Sequence, residues 1–161
     1  YRFVFAAPMR HGQTRHWRVT RAHCTGGINQ VNDRNGFPEL SSSRGGTFTL
    51  KSPLLFAPGN NQLNAGSPLS SFVGEGNVVR AVPISAEADG GAEVRILRYD
   101  ETIAEVATQG VKRLSFSRLA RFADYELVTD GKARTEKIGN DGVLVAELQP
   151  SEHLLQLRRL P

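Results

Sequence analysis

Three groups of residues have types and spacings that could carry chemistry. The stretch Arg10-His11-Gly12-Gln13-Thr14 follows a strand-like run and a proline. Histidine is a possible nucleophile, and arginine can steady developing negative charge. The densest acids are Glu87, Asp89, Asp100 and Glu101. Two carboxylates about 5 Å apart would serve retaining glycoside hydrolysis. His11, His16 and His23 with Cys24 form the one cluster of metal-ligand types. Zinc needs three or four convergent ligands, and these spacings match no standard site. The acids fall at turns and strand ends, where solvation is their ordinary role. No catalytic, cofactor-binding or metal-binding residue is assigned on these grounds.

Arg10-His11-Gly12 with Thr14 resembles the nucleophile motif of the histidine phosphatases. That chemistry also wants a second histidine, further arginines and an acid, on a fold with long helices. Only His153 comes late in the chain, and helical periodicity is nearly absent downstream. A phosphatase built on His11 is therefore kept as the third reading. Arg2, Arg10, Arg15, Arg18 and Arg21 all precede the first acid, Asp33. No aromatic stacking series or nucleic-acid motif accompanies them, so alternate arginines on a solvated or docking face are expected, and no nucleic-acid partner. Gly45-Gly46 is followed by no Lys-Ser or Lys-Thr pair, so it reads as ordinary loop.

The elements that must position these residues are strands. The chain has 161 residues, 39% hydrophobic, with net charge +4. That is enough for one ordinary domain or two small β modules. Tyr1 to Phe5 alternates as a half-buried strand, and Trp17 to Ala22 reads as a second. Asn32 to Gly46 and Asn60 to Pro68 read as loops on either side of the short strand Thr47 to Leu50 and the apolar burst Leu54-Leu55-Phe56. Asn77 to Ile84 and Glu93 to Tyr99 form a predicted central hairpin closed by Asp89-Gly90-Gly91, with apolar residues on both faces of each strand. Strands follow at Thr102 to Thr108, Val111 to Phe116, Tyr125 to Val128, Val143 to Leu148 and Leu154 to Leu160. An irregular crossover is expected at Leu119 to Phe122. Val79, Ala81, Val94, Ile96, Leu155 and Leu157 are the expected core.

Several of these pieces resemble the C-terminal β region of glycoside hydrolase family 38, the α-mannosidases. There a Ser-Phe-(Leu or Val) run leads into Asn-Val-Val. An Ala-Glu-Asp-Gly-type turn follows, then Val-Arg-(Leu or Ile) with Tyr and an acid. Here these are Ser71-Phe72-Val73, Asn77-Val78-Val79, Ala86-Glu87 with Asp89-Gly90-Gly91, and Val94-Arg95-Ile96 with Tyr99-Asp100. The family closes on a Pro-x-(Glu or Phe)-x-x-x-Leu-x-Leu strand, similar to Pro150-Ser151-Glu152-His153-Leu154-Leu155-Gln156-Leu157. Pro8-x-x-His11-Gly12 is a variant of a Pro-His-x-Gly segment that ends a strand there. Trp17-Arg18 with Asn29 is similar to a further stretch.

The resemblance implies an all-β chain: an antiparallel β-sandwich over 71–161, preceded at 1–70 by the closing strands and loops of a larger β domain. It implies a non-catalytic region that packs on and supports the catalytic domain of a retaining α-mannosidase-like hydrolase. Zinc and the aspartate nucleophile belong to that missing domain, so no cofactor is expected in this chain. The partners are then the catalytic and β domains of the same parent polypeptide, with carbohydrate met through the parent. The chain opens on Tyr1 with strand-like sequence and is expected to be a piece of a longer polypeptide. Its first strand is expected to have an open edge with nothing to pair it, and residues 1–28 to be the docking region. An autonomous carbohydrate-binding sandwich is the second reading. It would want exposed aromatics, and the chain has one tryptophan, Trp17, and three tyrosines. The single cysteine, Cys24, leaves the compartment open. No apolar run approaches the length of a membrane span and no signal peptide is visible, so no membrane partner is expected.

Overall fold

The computed structural model describes the backbone of residues 3–8, 14–19, 21–34, 36–64, 70–100 and 102–161. It describes side chains from residue 22 onward within those ranges, apart from residue 33. Every regular element in them is a strand. In chain order the strands open with β1 (Phe3–Pro8), β2 (Thr14–Val19), β3 (Arg21–Cys24), β4 (Gln30–Arg34), β5 (Phe37–Ser41) and β6 (Thr47–Ser52). They continue with β7 (Phe56–Ala57), β8 (Gly59–Leu63), β9 (Ser70–Glu75), β10 (Val78–Ala81), β11 (Ile84–Glu87) and β12 (Ala92–Tyr99). The last are β13 (Ile103–Gln109), β14 (Arg113–Phe116), β15 (Asp124–Thr129), β16 (Lys132–Lys137), β17 (Leu144–Glu147) and β18 (Glu152–Arg159). The chain is all-β, with antiparallel sheets, as the sequence led us to expect.

One long sheet faces two short ones. Its nine strands run β16-β15-β18-β13-β12-β8-β9-β6-β3. A three-stranded sheet, β11-β14-β17, covers one part of it. A four-stranded sheet, β4-β5-β10-β7, covers the other. Alternation explains the layering: a strand buried on one face shows period two. In β6, Phe48 and Leu50 are buried while Thr49 and Lys51 are exposed. The first core joins Val94, Ile96, Val106, Leu155 and Leu157 of the long sheet to Ile84, Leu114, Phe116 and Leu144 of the three-stranded one. The second joins Phe48, Leu50 and Phe72 to Leu40, Phe56, Val79 and Ala81. All six residues of the expected core are buried.

The long sheet runs through position 70. β9 pairs with both β6 and β8, and β8 pairs in turn with β12. Leu55 and Leu63 lie in the first core, whereas Phe72, Val79 and Ala81 lie in the second. Two glycines make room for an aromatic ring at this junction. Cβ atoms at Gly59 and Gly74 would both run into the Phe72 ring, which lies over them.

Five expectations are corrected. The predicted loop at 32–46 contains a hairpin: β4 and β5 pair with Arg34 opposite Phe37, and Gly36 turns the chain before β5 with φ 84°. The predicted loop at 60–68 contains most of β8. The predicted strand 77–84 is two strands in different sheets, broken at Pro83, which has no N–H to give a ladder. Val82 and Ile84 then bond across to Leu55 rather than continuing the pairing of β10. The central hairpin is not one. β11 pairs with β14 and β12 with β8 and β13, so Asp89-Gly90-Gly91 carries the chain from one layer to the other. Leu97 is not covered either: it shares the open outer face of β12 with Arg95 and is 49% exposed.

The crossover at Leu119 to Phe122 is irregular, flanked and closed by positive φ at Arg118 (59°) and Phe122 (60°). The first strand does have a partner: β1 pairs antiparallel with β2 along its whole length, in a two-stranded sheet. The side chains of residues 1–21, and with them most of the expected docking region, lie outside the described residues.

Candidate functional site

The candidate acids are not brought together. Glu87 and Asp89 precede β12 and Asp100 follows it, so they lie at opposite ends of an eight-residue strand. Each already has a cation. Arg113 of β14 stands between Glu147 of β17 at 2.8 Å and Glu87 of β11 at 3.5 Å, following the strand register. Asp89 bonds Lys112. Asp100 receives Arg98 at 2.9 Å, and its other oxygen accepts from the Thr102 hydroxyl and the Thr102 and Ile103 amides. These bonds, the Thr102 hydroxyl first, hold its carboxyl well below the ordinary carboxylate range. Glu101 lies outside the described residues. A pair of free carboxylates across a sugar is thus not formed by the described acids.

His11 lies outside the described residues, and His16 is placed only as a backbone position in β2. His23 is exposed. Cys24 is buried, its Sγ 3.8 Å from the Gly45 carbonyl. Among the described residues no three His, Cys, Asp or Glu side chains come together as metal ligands.

A Ser-His-Asp series does appear, one that the sequence reading passed over. Asp130 sits in the turn between β15 and β16, and Ser151 and His153 lie at the start of β18. His153 Nδ1 donates to Asp130 Oδ2 at 2.6 Å, and its Nε2 lies 3.0 Å from Ser151 Oγ. Nε2 also lies 2.9 Å from the Gln149 carbonyl. A carbonyl only accepts, so the Gln149 contact favours a proton on Nε2, and the Asp130 contact favours one on Nδ1. The bond to Asp130 raises the His153 pKa, and the Gln149 bond adds to it. A histidine so held has no basic nitrogen for Ser151, which a nucleophilic serine requires. Asp130 Oδ1 also accepts from the Leu154 amide at 2.9 Å. The series is a clasp between the β15–β16 turn and β18.

A concave feature lies between the two cores. It is a crevice of about 540 Å³ with an apolar floor that includes Phe116 and Leu157 and a rim carrying Arg34, Arg80, Arg118 and Arg159. Arg80 comes from β10 in the four-stranded sheet, Arg159 from the end of β18 in the long sheet, and Arg118 from the crossover. Arg80 donates to the Tyr99 carbonyl. Arg118 stacks over Phe37, 4.3 Å from the ring centre. Tyr125 accepts from the Ala120 amide at 3.0 Å. Burial pushes the Tyr99 phenol up to about 12, so it stays protonated as a neutral donor. These residues are 19 or more apart in sequence wherever they meet across the sheets, as Arg80 and Tyr99 do, and no local motif announces them.

Comparisons with models of protein families, with curated proteins and with solved structures find no match.

Proposed function

We propose that this chain is the non-catalytic C-terminal β region of an α-mannosidase-like retaining glycoside hydrolase, and that it packs on and supports the catalytic domain. One observation carries the reading. The stretches of closest resemblance, Ser71 to Asp100 and the closing run from Pro150, supply β9, β12 and β18 of one sheet, with β13 paired between β12 and β18. Their apolar positions Val94, Ile96, Leu155 and Leu157 share one core. Phe72 and Val79 of the same stretch lie in the second core, so the resembling runs are interior strands of both cores rather than scattered surface. Carbohydrate and zinc are met, on this reading, through the rest of the parent polypeptide. The acids and the Ser-His-Asp clasp described above act structurally.

The isolated chain should therefore hydrolyse neither aryl α-mannosides nor phosphomonoesters, with or without added zinc, because both chemistries need convergent groups supplied elsewhere. Steady-state assays of the purified chain test this. A metal-dependent turnover that disappears in His11→Ala would overturn it, and metal-independent phosphomonoester turnover lost in the same variant would restore the phosphatase reading.

A further inference from the structure

We propose that the crevice between the two cores is a binding site for a small oxyanion-bearing molecule, of the class of sugar phosphates and polycarboxylates. Its volume, about 540 Å³, falls within the usual range of small-ligand pockets. Its charge is one-sided. The one described carboxylate on its wall, Asp100, has both oxygens occupied by Arg98, Thr102 and Ile103. Arg34 is taken up by Glu39 at 3.3 Å. Arg80 and Arg159 form no ion pair with any described carboxylate, and they reach the crevice from opposite layers of the sandwich. Guanidinium groups approaching from two sides match an oxyanion with more than one acceptor. The Tyr99 ring, flanked by Arg80 and Arg118, adds a phenol that remains a donor across the physiological range. The apolar floor of Phe116, Leu119 and Leu157 suits the body that carries the charge. This inference does not depend on the hydrolase reading.

Isothermal titration of the chain at low salt tests it with five probes: inorganic phosphate, citrate, glucose 6-phosphate, uncharged glucose and poly-glutamate. The expected result is saturable one-site binding of at least one small charged probe and none of glucose. Preference for glucose 6-phosphate would identify a sugar phosphate, and preference for citrate a polycarboxylate. Arg159→Gln should weaken that binding about tenfold or more, the effect of losing one charge-assisted hydrogen bond. Arg134→Gln, on the outer strand β16, should leave it unchanged. Arg159 is preferred to Arg80 for this test because Arg80 also holds the Tyr99 carbonyl. No saturable binding, equal weakening by Arg159→Gln and Arg134→Gln, or binding only of an acidic peptide such as poly-glutamate would each overturn the proposal. The last would make the crevice a protein-docking surface instead.

Discussion

Asn61 shows at the scale of one residue how the two cores are held together. It is fully buried, its Oδ1 accepts from the Phe56 amide at 2.9 Å, and its Nδ2 donates to the Phe56 and Val94 carbonyls at 3.0 and 3.3 Å. Phe56 belongs to one core and Val94 to the other. Truncation would leave buried backbone groups without partners, at about 1–3 kcal/mol for each. Asn61→Ala should therefore lower stability by about 2–4 kcal/mol in urea denaturation, while a change below about 0.5 kcal/mol would place Asn61 at the surface. Nothing local in the sequence marks this residue. It lies in a polar stretch that reads as loop, and one of its partners is 33 positions away.

The His153 clasp makes a second residue-scale prediction, with a sign. The folded pKa of His153 is raised, chiefly by its bond to Asp130. Such a group contributes stability that is complete below the unfolded value, about 6.5, and is lost as pH rises through the folded value. The folded pKa of Asp130 is lowered, chiefly by the Leu154 amide. Its contribution is complete above its unfolded value and is lost as pH falls through the lowered folded one. The clasp is strongest between these limits. Urea midpoints should fall for the native chain relative to His153→Ala as pH rises from about 6 to about 8, across the ordinary histidine range. Parallel curves for the two proteins would show that the clasp carries no such free energy.

At the scale of elements, β12 was legible in its period and not in its bulge. Val94 and Ile96 point inward as alternation predicts. Leu97 is apolar, and hydrophobicity alone placed it under a second layer. It shares the open outer face with Arg95 instead, and after the bulge between Ile96 and Arg98 it is Tyr99 that packs against the first core. Ile96→Ala should cost roughly 2–5 kcal/mol as a packed core site. Leu97→Ala should cost less than about 0.5 kcal/mol. Similar losses at both sites would mean that both faces of β12 are covered. Polar strands were the harder case. β16, Lys-Ala-Arg-Thr-Glu-Lys, buries none of its residues. It exists because the Asp130-Gly131 turn returns it along β15 as an outer strand, and its charges also guard that edge. Pro83 could have warned that 77–84 was not one strand, since an interior strand rarely holds a proline. The clasp was written in turn signals at Asp130 and Gln149-Pro150, but which turn meets which follows from tertiary pairing that no local pattern specifies.

At the scale of the whole molecule, the described residues form one long sheet shared by two cores and faced by two short sheets, with an arginine-rimmed crevice where the cores meet. The class of fold was readable because turn residues punctuate apolar alternation from end to end. The crevice was not, because Arg80, Tyr99, Arg118 and Arg159 converge only through the order of strands. The central claim concerns what this unit belongs to. An antibody raised against the chain should capture, from the cells that make it, the native polypeptide that carries this sequence. Its length and its activity on an aryl α-mannoside, before and after chelation, are then measured together. The account predicts a polypeptide several times longer than 161 residues, with α-mannoside hydrolysis that a chelator abolishes and zinc restores. A captured polypeptide of about this length, or a longer one without chelator-sensitive α-mannosidase activity, would contradict it.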